Sequence, residues 1–310
     1  MLITFGDTAL RLSPPAGDRL ETADRFDAYA TGPASDAAVA ARYTGVETTH
    51  ATVLPDNPLG RRAVNELRAH DLEVHVTWAE GRQGLTFYEH GAGVREAAGV
   101  DDRVPSAFGR IEMGALPLDA VREADGVYFT GATPGYSTKA AEAAARFVRA
   151  ARDGGALTAF GLEYRAEQWD PEEAHETLTG FFPAIDVFVG RDDEVAAVLD
   201  RDGKPSQVVH ALAADHGFET VVLVRDRTTV AWHDSTVYEF PVVDCPDVDP
   251  TGATAALTGT FLARLLEGAD TETALRDGTA AHALARSVHG PLPTFTRAEL
   301  DRAAAEIEDD

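Results

Sequence analysis

The chain has 310 residues, of which 44% are hydrophobic, which is enough to bury a sizeable core in one large α/β domain or in two smaller ones. This composition excludes a disordered chain. The 52 acidic and 27 basic residues give a formal net charge of -25, which would repel phosphate backbones and anionic bilayers, so we expect neither nucleic acid nor a membrane surface as a partner.

The first third of the chain predicts a βαβ unit followed by a small β appendage. Apolar runs alternate with helical spacing until glycines interrupt the pattern and the helical period disappears. In chain order, the sequence predicts a strand over residues 2–5, a helix over 37–42, a strand over 49–54, a helix over 60–70, a strand over 73–78, and short strands over 85–89 and 93–96.

The alternation of strands and helices resumes after residue 107. We predict strands over residues 126–130, 157–160, 187–189, 220–224, 230–233 and 237–243, and helices over 137–152, 171–182, 193–199 and 252–266. This rhythm predicts a parallel sheet covered by helices on both faces, in which ligands bind outside the carboxyl ends of the strands. We expect one domain over residues 1–310, with a small β lid built from about residues 7–31 and 73–108.

The segment from Asp249 to Ala256 reads Asp-Pro-Thr-Gly-Ala-Thr-Ala-Ala and enters a long apolar helix. Its small residues leave backbone N–H groups exposed at the positive end of a helix, where an anion can bind. The predicted anion hole consists of Gly252, Ala253, Thr254 and Ala255. The alternative is a capped helix whose small residues only permit close packing.

This segment resembles the signature Asp-x-x-Gly-Ala-Gly-Asp-Ala-Phe of the ribokinase or PfkB carbohydrate kinases. The resemblance extends over almost the whole chain, through residues 54–62, 160–165 with Trp169, 187–194 and 283–294. Residues 84–89 and 103–107 are similar to the 2-keto-3-deoxygluconate kinase branch. The resemblance implies a ribokinase-like three-layer α/β fold with a mainly parallel, Rossmann-like sheet. It also implies ATP as phosphoryl donor, Mg²⁺, a sugar or sugar acid under the lid, and a homodimer formed through the lid.

The same resemblance assigns roles to individual residues. It implies substrate binding by Gly32, Asp36, Arg103 and Arg165, nucleotide binding by Arg225, Asp226 and Asp249, and a metal role for Glu194. In the family, the arginine at position 103 grips the substrate carboxylate. Alternatively, Arg103 is a surface arginine paired with Asp101 or Asp102.

Nearly every catalytic motif departs from the family pattern. The family's catalytic aspartate takes the proton from the sugar hydroxyl, and here Ala255 occupies its position while Thr254 replaces a glycine. The other replacements are Arg191 for asparagine, Gly161 and Glu163 for a polar pair, Thr31 for glycine, Asp36 for asparagine, and residues 226–229 for a glycine turn. We therefore predict a homologue with no intact catalytic residue, little or no kinase activity, and impaired binding of ATP and Mg²⁺. The alternative is an active sugar-acid kinase with a substitute base.

Other features of the sequence bear on the compartment. Only Lys139 and Lys204 are lysines, and an acidic, lysine-poor surface is typical of a cytoplasm with molar salt, where charge repulsion is screened within about 3 Å. The alternative is an ordinary acidic protein from a GC-rich genome. The single Cys245 allows neither an intramolecular disulfide nor a cysteine-based zinc site. With no signal peptide or spanning segment in the sequence, we expect a cytoplasmic protein.

Overall fold

The structure is a computed structural model that describes residues 1–112, 114–243, 245 and 247–308. Its strands are β1 (Leu2–Phe5), β2 (Ala9–Ser13), β3 (Asp27–Thr31), β4 (Thr48–Pro55), β5 (Glu73–Ala79), β6 (Leu85–Glu89), β7 (Ala98–Asp102), β8 (Gly126–Thr130), β9 (Leu157–Gly161), β10 (Val187–Arg191), β11 (Thr220–Val224), β12 (Thr228–His233) and β13 (Thr236–Pro241). Its α-helices are α1 (Pro33–Thr44), α2 (Pro58–Ala69), α3 (Leu118–Glu123), α4 (Thr138–Gly154), α5 (Pro171–Thr179), α6 (Asp192–Leu199), α7 (Pro205–His216), α8 (Ala253–Leu266), α9 (Thr271–Arg286) and α10 (Arg297–Glu308). None of these helices is long and apolar enough to cross a membrane.

Nine strands form the main sheet, in the order β13-β12-β11-β10-β9-β8-β1-β4-β5. All neighbours from β11 to β5 are parallel, and the antiparallel pairs are confined to the edge formed by β12 and β13. Strand β11, Thr-Val-Val-Leu-Val, is buried throughout, as a parallel strand between two helical layers must be. The predicted α/β fold with a mainly parallel sheet is confirmed.

Successive residues of each strand face opposite helical layers. In β1, Ile3 belongs to a core that includes Phe147 of α4, whereas Leu2 belongs to a second core that includes Phe261 of α8. The first layer contains α3 to α7, and the second contains α1, α2, α8, α9 and α10. The N-terminus of α8 therefore approaches the sheet from the second layer.

A second sheet has four strands in the order β3-β2-β6-β7. Its strands β2 and β3 lie in the predicted lid segment 7–31. Residues 73–79, which were also predicted to belong to the lid, lie in the main sheet instead, because β5 pairs in parallel with β4 and buries Val74 in the core beside α2. The strand predicted over 93–96 is also wrong. An isolated bridge between Ala92 and Arg95 closes a turn there, with Gly93 at a φ of 58°, and the strand begins at Ala98.

The predicted helix over 171–182 ends three residues early, at Thr179. A 3₁₀ turn over Phe182–Ala184 follows it, and Pro183 lacks the N–H that an α-helix would require there. Helices α3, α7, α9 and α10 were not predicted.

Candidate functional site

A cavity of about 370 Å³ lies where the carboxyl ends of β9 and β10 meet the N-terminus of α8 and the end of the small sheet. We call it the main cavity. Its volume suits a small molecule, and its position agrees with the binding edge of parallel sheets. It is lined by Thr31, Pro33, Asp36, Arg103, Glu163, Arg165, Arg191 and residues 250–255.

A smaller cavity of about 180 Å³ adjoins the main cavity, and we call it the side cavity. The two share Arg191, Pro250, Ala253 and Thr254, which therefore mark their junction. The remaining lining of the side cavity consists of Asp192, Val224, Arg225, Asp226, Asp247, His282 and Arg286. Two of the three residues predicted to bind nucleotide, Arg225 and Asp226, line this cavity.

The turn into α8 depends on Gly252. Its φ is 79°, and a Cβ atom at this position would lie 2.0 Å from the carbonyl oxygen of Pro291, so no other residue fits without a shift of the backbone. The N–H of Ala256 donates to the carbonyl of Gly252 at 2.8 Å and is the first intrahelical donor of α8, so the N–H groups of Thr254 and Ala255 precede it. The predicted anion hole thus lies at the junction of the two cavities.

Asp249 faces the small sheet and lines neither cavity. Its carboxylate is fully buried, forms a bidentate ion pair with Arg11 of β2, and accepts the N–H groups of Thr251 and Gly290 at 3.1 and 3.0 Å. Although burial acts to raise the pKa of Asp249, these hydrogen bonds and the Arg11 charge hold it below its usual value. Asp249 therefore anchors the turn, and its role toward nucleotide stays a prediction.

Arg11 was missed by the sequence analysis. Its side chain is 3% exposed, and its guanidinium lies 5.1 Å from the ring centre of Tyr29 and 5.2 Å from that of Tyr88. These rings, on β3 and β6, make cation–π contacts with the Arg11 guanidinium, which also pairs with Asp249. Arg11 thereby joins the small sheet to the turn that begins α8.

The position of the family's catalytic base is apolar in the structure. Ala255 is 5% exposed and belongs to the same buried core as Tyr128 of β8. A Cβ atom added to Gly161 would lie 2.3 Å from the hydroxyl oxygen of Tyr128, so this tyrosine occupies the space that a side chain at 161 would need. Neither position 161 nor position 255 provides a polar side chain to the site.

Two guanidinium groups meet at the wall of the main cavity. Arg103 and Arg165 both pair with Asp101, at 3.5 and 3.0 Å, and the Nε of each is buried without a hydrogen-bond partner among the described residues. Arg103 is only 6% exposed, so it pairs with Asp101 without being a surface residue. Burial disfavours its charge, but Asp7, Tyr136 and Asp101 raise its pKa, and it stays cationic. Such a pair suits a carboxylate.

Asp36 also lines this cavity, at the start of α1. Its carboxylate accepts hydrogen bonds from the Thr31 hydroxyl at 2.9 Å, the Gly32 N–H at 3.1 Å and the Ser35 hydroxyl at 3.2 Å. Burial raises its pKa to about 7, so near neutral pH it only partly offsets the arginine charges. Gly32 holds this turn and is not among the lining residues of the cavity.

Glu194, the predicted metal ligand, lines neither cavity. Its carboxylate accepts the backbone N–H of Arg191 at 3.4 Å and so closes the first turn of α6. Burial and the nearby Glu163 carboxylate raise its pKa well above the usual range, which favours the neutral acid. No group of three or more metal-ligating side chains occurs among the described residues. The Glu194 carboxylate is thus engaged with the backbone of α6, and its role toward Mg²⁺ stays a prediction.

The side cavity also fits a nucleotide poorly. Arg225 is engaged by Asp192 at 2.9 Å, Arg286 is paired with Asp247, and the carboxylate of Asp226 adds negative charge. A volume of about 180 Å³ is below the range of roughly 300–1,000 Å³ that small-molecule sites occupy. A triphosphate would meet like charge there and little space.

Comparisons with known proteins agree with the fold. The sequence profile of the pfkB family of carbohydrate kinases matches residues 1–296. A 2-dehydro-3-deoxygalactonokinase from Haloferax volcanii is 40% identical over 303 residues, covering 97% of this chain and 95% of that protein.

Two solved structures share the fold over nearly their whole length. A 2-dehydro-3-deoxygluconokinase from Thermotoga maritima has a TM-score of 0.92 at 23% identity, covering 98% of this chain and 99% of that one. A protein from E. coli, provisionally assigned as a ribokinase II and solved with ATP and Mg²⁺, has a TM-score of 0.88 at 17% identity, covering 98% of this chain and 99% of that one.

Proposed function

The chain belongs to the pfkB family of carbohydrate kinases, as its motifs predicted, and we propose that it binds a 2-keto-3-deoxy sugar acid without phosphorylating it. One observation carries this proposal: the main cavity keeps the buried Arg103 and the partly buried Arg165, while the position of the catalytic base is a methyl group in an apolar core. Recognition of an acid and loss of proton transfer thus coexist in one site.

The substrate class is supported by chemistry and by similarity. The cavity offers the fork-shaped guanidinium groups of Arg103 and Arg165, which match a carboxylate bidentately. The similar Haloferax and Thermotoga proteins are named for 2-dehydro-3-deoxy sugar acids, a synonym of 2-keto-3-deoxy acids. We therefore propose a six-carbon acid of this type as the ligand.

A second candidate function is favoured by Glu163. This carboxylate lines the same cavity as Ala255, has an unusual backbone φ of 41°, and has a pKa raised by burial. It would serve as the substitute base of an active sugar-acid kinase. Sugar-dependent turnover by the wild type that Glu163→Gln abolishes, with the protein still folded, would support this alternative.

Calorimetric titration with 2-keto-3-deoxygluconate and 2-keto-3-deoxygalactonate tests the proposed binding. Arg103→Ala should weaken binding about 10- to 150-fold, the equivalent of roughly 1.5–3 kcal/mol for charge-assisted hydrogen bonds. Arg103→Lys, which keeps the charge but not the planar fork, should lose less. We specify 2 M KCl, because the acidic surface favours the salt-rich cytoplasm that we propose as the location.

Arg82→Ala is the matched control for Arg103→Ala. Arg82 lies just before strand β6 of the small sheet and pairs with Asp102 at 2.8 Å. Its side chain is 39% exposed and lines neither cavity. Its loss should leave binding unchanged. If the wild type binds neither sugar acid, the proposed function is wrong. If Arg103→Ala binds as tightly as the wild type, the carboxylate is recognised elsewhere.

We also propose a homodimer formed through the small sheet. Phe87 of β6 lies directly opposite Val100 of β7, and Phe26 packs edge-on against Phe87 at 6.5 Å. Val100 is 55% and Phe26 is 39% exposed, so this sheet carries an apolar patch that a second copy can cover. Ultracentrifugation should give a dimer that Val100→Glu dissociates. A wild-type monomer at micromolar concentration would contradict this.

A further inference from the structure

We propose that Asp101 is a positioning residue that determines which anion the main cavity accepts. It combines Arg103 and Arg165 into one clamp that takes a singly charged group such as a carboxylate and rejects a doubly charged one. This inference rests on the proposed function, because it places the carboxylate of the sugar acid at these two arginines. Asp101 does not itself line the cavity, so it acts through the two guanidinium groups.

Asp101 holds both guanidinium groups at once. One of its carboxylate oxygens accepts a hydrogen bond from Nη1 of Arg165 at 3.0 Å and lies 3.5 Å from Nη1 of Arg103. Its other oxygen accepts the backbone N–H of Arg103 at 3.0 Å. Within the described part of the chain, neither arginine side chain forms a hydrogen bond or an ion pair with any other residue. The positions of the two guanidinium groups therefore depend on this one carboxylate.

The contact also joins the two sheets. Asp101 belongs to β7 of the small sheet, and Arg103 follows directly after it, whereas Arg165 follows β9 of the main sheet. The side chains of Arg103 and Arg165 are only 8% and 15% exposed. The clamp is thus built between the two sheets and is largely shielded from water.

Each guanidinium group keeps one edge for a ligand. Asp101 engages Nη1 of Arg103 and of Arg165, and the Nε of each is buried without a hydrogen-bond partner among the described residues. Nε and Nη2 together form an edge that binds a carboxylate through two parallel hydrogen bonds. A carboxylate that enters the cavity can therefore bind to the clamp without displacing Asp101.

The charge of the clamp favours a singly charged ligand. Two guanidinium groups and one carboxylate leave one positive charge, which one ligand carboxylate neutralises. A doubly charged anion would leave an uncompensated negative charge in a largely buried place, which is costly. The carboxyl groups of Asp7 and Asp36 also act on Arg103, and burial raises the pKa of both. Any ionised fraction of these two acids adds negative charge and strengthens the same preference.

Titration calorimetry with 2-keto-3-deoxygluconate and two analogues, at one fixed KCl concentration, tests the inference. In the analogues a sulfonate or a phosphonate replaces the carboxylate. Both groups are tetrahedral, but only the phosphonate is doubly charged at a sufficiently alkaline pH, so their comparison separates charge from shape. We expect the wild type to bind the sulfonate at least about tenfold more tightly than the phosphonate.

Variants of Asp101 test whether this residue sets the preference. Asp101→Asn keeps the shape of the side chain without its charge and should abolish the preference for the sulfonate, whereas Asp101→Glu should keep most of it. A purely structural role would change both affinities together and leave their ratio unchanged. Asp102→Asn is the matched control and should keep the ratio, because Asp102 pairs with Arg82, is 48% exposed and lines neither cavity.

The possible outcomes separate the two proposals. Failure of 2-keto-3-deoxygluconate to bind would overturn both. If this acid binds but the wild type does not distinguish the sulfonate from the phosphonate, the inference is wrong and the proposed function stands, even if Asp101→Asn does not fold. A preference that survives in Asp101→Asn would also overturn the inference. Absence of phosphonate binding in both the wild type and Asp101→Asn would do the same, because shape would then decide.

Discussion

We expect purified protein supplied with ATP, Mg²⁺ and 2-keto-3-deoxygluconate to release ADP in a sugar-dependent manner at a rate at least about 100-fold below the roughly 1 s⁻¹ that competent kinases reach. A general base typically contributes about 10²- to 10⁴-fold, and Ala255 has no group that accepts a proton. Arg191 also adds a guanidinium where the family resemblance implies an asparagine near the metal, which is held by oxygen ligands. Because catalytic groups act as a unit, the missing base together with the change at Arg191 should leave only background hydrolysis of ATP.

Restoring the base alone should not restore transfer. Ala255→Asp places a carboxylate in the apolar core beside Tyr128, with Arg191 and Thr254 unchanged at the junction. We expect Ala255→Asp to release ADP at the wild-type rate. The triple variant that adds Thr254→Gly and Arg191→Asn should release ADP faster than the wild type. A coupled ADP assay on variants with native circular dichroism makes the comparison. Wild-type turnover above about 1 s⁻¹ would refute the predicted inactivity and make Glu163 the first candidate base.

Arg11→Ala should be the most destabilising single substitution considered for this chain. It leaves the fully buried Asp249 carboxylate without its cation, and breaking a buried ion pair costs about 3–5 kcal/mol of unfolding free energy. Chemical denaturation at neutral pH measures this loss. Because the folded pKa of Asp249 is lowered, the stability from this pair is present above its usual pKa near 4 and is lost as pH falls further.

Two variants control for other causes of instability. Arg42→Ala removes an exposed pair with Asp71 and should cost at most about 1 kcal/mol. Arg11→Met combined with Asp249→Asn removes both charges and should recover part of the stability, because no ion is left buried. If Arg11→Ala unfolds within 1 kcal/mol of the wild type, the ion pair does not join the small sheet to the α8 turn as described.

The sequence was informative wherever the deciding signal was local. Apolar runs bounded by glycine, proline and asparagine predicted the strands and helices of the main sheet, because these elements depend on nearest neighbours along the chain. Helix α9 escaped prediction because α8 and α10 cover it on several sides, so Asp277, Thr279 and His282 are buried among its alanines and the helical period is obscured.

The candidate site was predictable in position but not in its long-range contacts. The motif departures at Ala255, Arg191 and Glu163 lie far apart in the sequence, and the fold brings all three to the lining of the main cavity. The ion pair of Arg11 with Asp249 joins residues 238 positions apart, so no local sequence pattern predicts it. The orientation of Asp249 toward the small sheet is likewise decided by Arg11 of β2.

The packing of Tyr128 against Gly161 constrains the evolutionary path of this protein. If the ancestral residue at 161 was the aspartate that the family resemblance implies, its side chain and the present tyrosine position could not have coexisted, because even a Cβ atom would stand 2.3 Å from the hydroxyl oxygen. The change to glycine must therefore have preceded or accompanied this placement of the ring. Substitution of aspartate at position 161 alone would now clash with the Tyr128 hydroxyl, so a return of that aspartate would require a change in the position of Tyr128 as well.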